Sequence, residues 1–143
     1  MEIIADLQFE NTLTKIQVIP QSDTDLVEIK TLCIDTTNQN QLNDCSVILS
    51  PNEVISLSYL ISASVFLDST NGDGYTESNL YVFSEEEEEC PQIIVEKGLG
   101  EYWRINVGYA ETEHSQGIDL NKDECLQLIQ ILKNSHEHAI NVK

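Results

Sequence analysis

Apolar residues recur at two different periods along this chain, and the changes of period mark out its elements. Behind Ser50 they fall at Val54, Leu57, Ile61 and Val65, and behind Asn121 at Cys125, Leu128, Ile129 and Leu132. That spacing gathers them into one stripe on a helix. The segments Leu49–Leu57 and Leu120–Leu128 align at a constant offset and begin with the same grammar. Ser50 and Asn121 are N-cap types, whose side-chain oxygen can accept from an orphan backbone N–H. Glu53 and Glu124 stand at the third helical position, which completes a capping box and sets a negative charge at the positive end of the helix dipole. Pro51 suits the first helical position, where the missing N–H has no partner to lose.

Elsewhere the period is two. Ala5, Leu7 and Phe9 alternate with polar residues, as do Ile16 and Val18, and then Val27, Ile29, Thr31 and Cys33; a short Val47–Leu49 run precedes the first helix. The second half offers Leu80 to Phe83, Ile93 to Val95, then Trp103, Ile105, Val107 and Tyr109, and a short Ile118–Leu120, with Gly98-Leu99-Gly100 as a tight turn. Each half reads strand, strand, strand, short strand, helix. The matched caps and matched order favour an internal duplication of a β-β-β-(β)-α unit. The expected fold class is α+β: one antiparallel sheet of about six to eight strands, both helices on one face, the other face solvated or open to a partner. The expected domain is single, over 1–143, divisible into half-repeats 1–67 and 78–143 joined by a linker at 68–77.

Charge changes the picture more than any motif does. Twenty-five Asp and Glu against seven Lys and Arg leave the 143-residue chain at -18, with a pI near 4.1. No basic face for nucleic acid or an anionic membrane can be assembled from so few cations, whereas a basic protein surface or a metal cation would be attracted. An apolar content of 41 % argues against an unfolded acidic tail. The N-terminus has acids where a secretory signal needs basic residues. The apolar stretch from Leu57 to Leu67 is too short to span a bilayer. Cys33, Cys45, Cys90 and Cys125 show no Cys-x-x-Cys spacing, so reduced thiols in a cytoplasmic protein are expected, with a disulfide between Cys45 and Cys90, read as loop residues, as the alternative.

Two segments carry candidate chemistry. Asp68-Ser69-Thr70-Asn71-Gly72-Asp73-Gly74-Tyr75-Thr76-Glu77 offers oxygen ligands around glycines, as calcium requires. The fragment Asn71–Gly74 resembles the centre of an EF-hand or dockerin-type loop over about ten residues. It departs from that pattern where the bidentate Glu belongs: with Asn71 and Asp73 at the third and fifth positions, the twelfth is Leu80. An ordinary turn explains Asn-Gly and Asp-Gly equally well. The second segment, Glu85-Glu86-Glu87-Glu88-Glu89, is an unbroken acidic run between two strands. Such runs are commonly solvated loops. In an extended chain, however, alternate side chains lie about 6.6 Å apart, close to the phosphate spacing of a nucleic-acid strand. Glu111 and Glu113 add to the acidity of the same half.

The remaining residues point away from catalysis. His136 and His138 lie two apart on what reads as a fraying last turn, and His114 reads as a solvated loop residue with no nucleophile beside it. No glycine-rich phosphate loop precedes a helix, and no carboxylate pair is singled out by apolar surroundings. Tyr102, Trp103 and Tyr109 read as packing residues, because a base-stacking platform also needs a cationic groove. No enzymatic activity, cofactor or resident metal is expected. The expected function is an acidic, non-enzymatic inhibitor that binds a basic protein through Glu85 to Glu89, Glu111 and Glu113. Its sharpest form is a nucleic-acid mimic blocking the DNA- or RNA-binding channel of a nuclease or defence protein, by analogy of charge and size with phage-encoded antagonists of restriction and CRISPR nucleases. The alternatives are a calcium module on the Asp68–Glu77 loop and an acidic scaffold or homodimer subunit.

Overall fold

The structure, a computed structural model, describes residues 2–6, 11–66, 76–83, 90–97, 100–110 and 114–141. Four strands, β1 (Glu2–Asp6), β2 (Thr12–Pro20), β3 (Val27–Asp35) and β4 (Gln41–Leu49), are followed by α1 (Pro51–Phe66). Four more, β5 (Thr76–Tyr81), β6 (Pro91–Lys97), β7 (Trp103–Tyr109) and β8 (His114–Leu120), lead into α2 (Lys122–Asn141). The fold is α+β, but not with one sheet. Each half forms its own antiparallel meander, in the orders β1-β2-β3-β4 and β5-β6-β7-β8. The two expected short strands are full members of their sheets, nine residues in β4 and seven in β8.

Both helix starts fall at the expected residues. Ser50 N–H donates to Glu53 Oε1 at 2.9 Å, and Glu53 N–H donates to Ser50 Oγ at 3.4 Å. Asn121 N–H and Glu124 N–H make the same reciprocal pair with Glu124 Oε1 and Asn121 Oδ1, both at 2.9 Å. Each box satisfies two donors that the first helical turn leaves unpaired. Asn121→Ala removes one of these acceptors; the expected loss is about 1 kcal/mol, read as a fall of roughly 3 °C in the melting temperature.

One cluster of buried side chains draws on both halves. Ile16, Ile29, Val47 and Leu49 come from the first sheet, Ile93, Ile105, Ile118 and Leu120 from the second, and Leu57, Ile61, Leu128 and Leu132 from the helices. Burial alternates along β6 from Pro91 to Lys97 and along β2 from Thr14 to Val18, so each sheet turns one face inward. Strand β8 touches all four strands of the first sheet and therefore lies across them, the orthogonal arrangement of packed sheets. The helices are exchanged. Strands β5 and β6 of the second sheet lie against α1, although α1 follows the first, while β1 and β2 of the first lie against α2. They pack against each other rather than sharing one face of a single sheet.

On the outward side of the first sheet, register aligns Lys15–Leu32–Asp44, Gln17–Lys30–Ser46 and Ile19–Glu28–Ile48 across β2, β3 and β4. On the outward side of the second, Glu77, Glu96, Arg104 and Asp119 stand in one row across β5 to β8. Arg104 Nη1 lies 3.6 Å from Asp119 Oδ1. Its guanidinium passes over Gly117, where an added Cβ would meet Arg104 Nε at 2.7 Å.

Candidate partner-binding site

The glutamates singled out from the sequence, Glu85 to Glu89 with Glu111 and Glu113, lie outside the described residues. The residues flanking them are placed, and register brings them together. Tyr81 pairs with Gln92, Pro91 with Tyr109, and Tyr109 with His114. Beyond these pairs, Val82 N–H donates to Pro91 O at 3.0 Å and Ala110 N–H donates to Cys90 O at 3.1 Å. The connection that carries the acidic run and the connection that carries Glu111 and Glu113 therefore start and finish at the same end of the second sheet. Cys90, which closes the first, has a φ of 44°, a left-handed conformation uncommon outside glycine.

That end is fastened to its surroundings. Phe83 N–H, two residues before the run, donates to Glu53 Oε2 at 2.9 Å. Glu53 thus caps its own helix with one carboxylate oxygen and holds the β5 exit with the other. Strand β4, the edge of the first sheet, is stapled to the same region by side chains. Tyr109 donates its hydroxyl proton to Ser46 O. His114 Nε2 lies 2.6 Å from Asp44 O, so that nitrogen carries the proton. Asn43 Nδ2 donates to Ser115 O at 2.9 Å and to Gln116 Oε1 at 2.8 Å. Thr31, fully buried, donates to Gln116 O at 2.7 Å. None of these staples stood out in the sequence: a polar residue on a strand looks the same whether it faces water or a second sheet. His114, read as a solvated loop residue, opens β8 and holds the β4 edge.

Beside this end lies a shallow hollow of about 270 Å³ on the outward face, lined by Gln92, Ile94, Asn106, Gly108, Tyr109, Ala110 and Ser115. Its lining contains no charged side chain. Gly108 is required by close approach, since an added Cβ would stand 2.7 Å from Ser115 Cβ. A second depression, between Leu26, Ile48, Ser50, Glu53 and Phe83, sits where the chain leaves β5; Phe83 is 80 % exposed there.

The other candidates resolve as follows. Asp68, Asn71 and Asp73 of the calcium-like loop lie outside the described residues, and Glu77 is on β5, paired in register with Glu96. Among the described residues no group of three or more His, Cys, Asp or Glu is placed to hold a metal ion. His136 is not on a fraying turn: α2 continues past it to Asn141, and its Nδ1 lies 3.1 Å from Pro51 O on the neighbouring helix. Cys45 is not a loop residue but a buried position of β4, with its thiol 3.9 Å from His114 O, and all four cysteines are free. Burial pushes its thiol up to about 11, with the Asp44 charge adding to it, and burial with Glu124 pushes Cys125 up to about 12. Burial likewise raises Cys33. Such thiols hold their protons and are poor nucleophiles. Trp103 is buried, as expected of packing, and its indole N–H donates to Ser64 O at 3.4 Å. Tyr102 is instead 61 % exposed, just ahead of β7. Among the described residues no helix is long and apolar enough to cross a membrane.

No protein-family model matches the chain. No curated protein matches it. Among solved structures, the chain is similar to the crystal structure of WHY1 from Arabidopsis thaliana at 14 % sequence identity, over 99 % of this chain and 92 % of that one, with a TM-score of 0.48.

Proposed function

We propose that the chain is a non-enzymatic binding protein that engages a basic protein surface through the acidic connections at one end of its second sheet. In the sharper form of this reading it occupies a nucleic-acid-binding channel of a nuclease or defence protein and competes with the nucleic acid there. The observation that supports it most is the convergence of anchor points: Phe83, Cys90, Ala110 and His114 bring the ends of both glutamate-bearing connections to one end of the second sheet. Glutamates tethered to a fixed frame present their charge with less ordering cost on binding than the same residues on a free tail. The net charge of -18 supplies the long-range field. Complementary charge accelerates encounter and makes association sensitive to salt.

The test is affinity capture from a lysate, with the bound proteins challenged separately by duplex DNA and by rising salt. A basic nucleic-acid-binding protein released by both is the expected result. A partner held through both challenges, or none retained, overturns the proposal.

A further inference from the structure

The depression where the chain leaves β5 is lined by apolar side chains and surrounded by acids. Leu26, Ile48 and Phe83, which line it, are 38, 49 and 80 % exposed and come from three separate places in the chain. Each stands on fixed backbone. Leu26 closes a turn in which its carbonyl accepts from Gln21 N–H at 2.9 Å and its own N–H donates to Thr24 Oγ1 at 3.2 Å. Ile48 lies within β4, and Phe83 is held through its N–H by Glu53. Apolar side chains gathered in this way on the surface of a strongly charged chain mark a place of contact. The depression has a volume of about 690 Å³, and pockets that enclose a ligand span about 300–1,000 Å³, so there is room for one large side chain.

The charges around it decide what fits. Asp23 and Asp25 stand on the turn that carries Leu26, and Glu28 is the partner of Ile48 in register. Glu53 is part of the lining, and Glu85 follows Phe83 by two residues. Among the described residues the lining holds no cation. Lys30, one row along the same face as Glu28, lies 3.8 Å from Asp44 Oδ2 and so has a carboxylate of its own. We propose that this depression takes one large apolar side chain of the partner protein, flanked there by lysines or arginines. The inference rests on the reading of a basic partner given above, and adds the anchor that charge alone lacks. An apolar anchor shut off from water inside a polar rim is where interfaces concentrate their affinity. Because the lining residues are already placed, their contact with the anchor costs little ordering. A second copy of this chain fits poorly, since at -18 it brings more acid to an acidic rim.

Two peptides of six lysines each, one with a tryptophan and one with a serine at its centre, carry equal charge. Both are titrated into the full chain by calorimetry at low and at high salt. The tryptophan peptide is expected to bind about tenfold tighter. Both affinities fall as salt rises while their ratio holds, because screening weakens ion pairs and leaves apolar burial in place. The methyl resonances of Leu26 and Ile48 shift with the tryptophan peptide and stay put with the serine peptide. Phe83→Ser with Ile48→Thr removes the difference between the peptides, and the melting temperature checks that the fold survives. Equal affinities for the two peptides at both salt levels overturn this inference and leave the basic-partner reading standing, whereas binding of neither overturns both. A tryptophan preference that leaves the Leu26 and Ile48 resonances unmoved also overturns it. So does a mass of twice 16.1 kDa that the tryptophan peptide lowers, since a second copy would then be the occupant.

Discussion

Replacing Glu85 to Glu89 by Gln weakens binding to a captured basic partner by about tenfold or more, while the melting temperature holds or rises. An exposed ion pair contributes about 0.2–1 kcal/mol, so five lost together span roughly 1–5 kcal/mol, and a factor of ten needs only about 1.4 kcal/mol. The loss should fall partly on the association rate and shrink as salt is added, because screening already removes the steering that the substitution removes. Stability should not suffer, since taking negative charge from a chain at -18 relieves self-repulsion. Titration of the two proteins by calorimetry, at two ionic strengths, separates the outcomes. An unchanged affinity removes this run from the site; a collapse of the melting temperature would mean that the run supports the fold instead.

The second large effect is on stability. Ile105 is fully buried at the centre of β7, with Val95 and Ile118 beside it in register and both nearly inaccessible. Ile105→Ala leaves a cavity between β7 and the strands β3 and β4 of the first sheet that cover it, and is expected to cost about 2–5 kcal/mol. That is a large part of a domain's usual stability of about 5–15 kcal/mol. Chemical denaturation measures it. Tyr59→Ala on the exposed side of α1, where Tyr59 is 63 % accessible, is expected to stay within about 0.5 kcal/mol.

Local grammar was the most legible part of the sequence. Ser50 with Glu53 and Asn121 with Glu124 form the hydrogen-bonded boxes their spacing implies. Alternation located the inward residues of β2, β3 and β7 because each sheet buries one face. What alternation cannot encode is the cover over that face. Two four-stranded sheets and one eight-stranded sheet produce the same pattern, so the division into two sheets was hidden, as was the exchange of helices. Strand β4 was read too short because Gln41, Asn43 and Asp44 are polar and exposed or half-exposed at a sheet edge, where a strand resembles a loop. In the candidate site the acids were legible as composition. The frame around them, Tyr109, His114, Asn43 and Thr31 acting on backbone atoms of another sheet, was not, because those contacts join residues far apart in the chain.

The exchange of the helices has a consequence for how the chain is made. Residues 2–49 can pair into the first meander early in synthesis, but the helix against β1 and β2 is built from residues 122–141. The rest of that side is covered by β7 and β8, residues 103–120, so until the second half has left the ribosome the apolar side of the first sheet lacks its cover. Folding of the first half therefore waits on the second, through contacts of high sequence separation of the kind that slow folding. The nascent chain spends that interval with an uncovered sheet, in a state where its abundant negative charge keeps neighbouring chains apart.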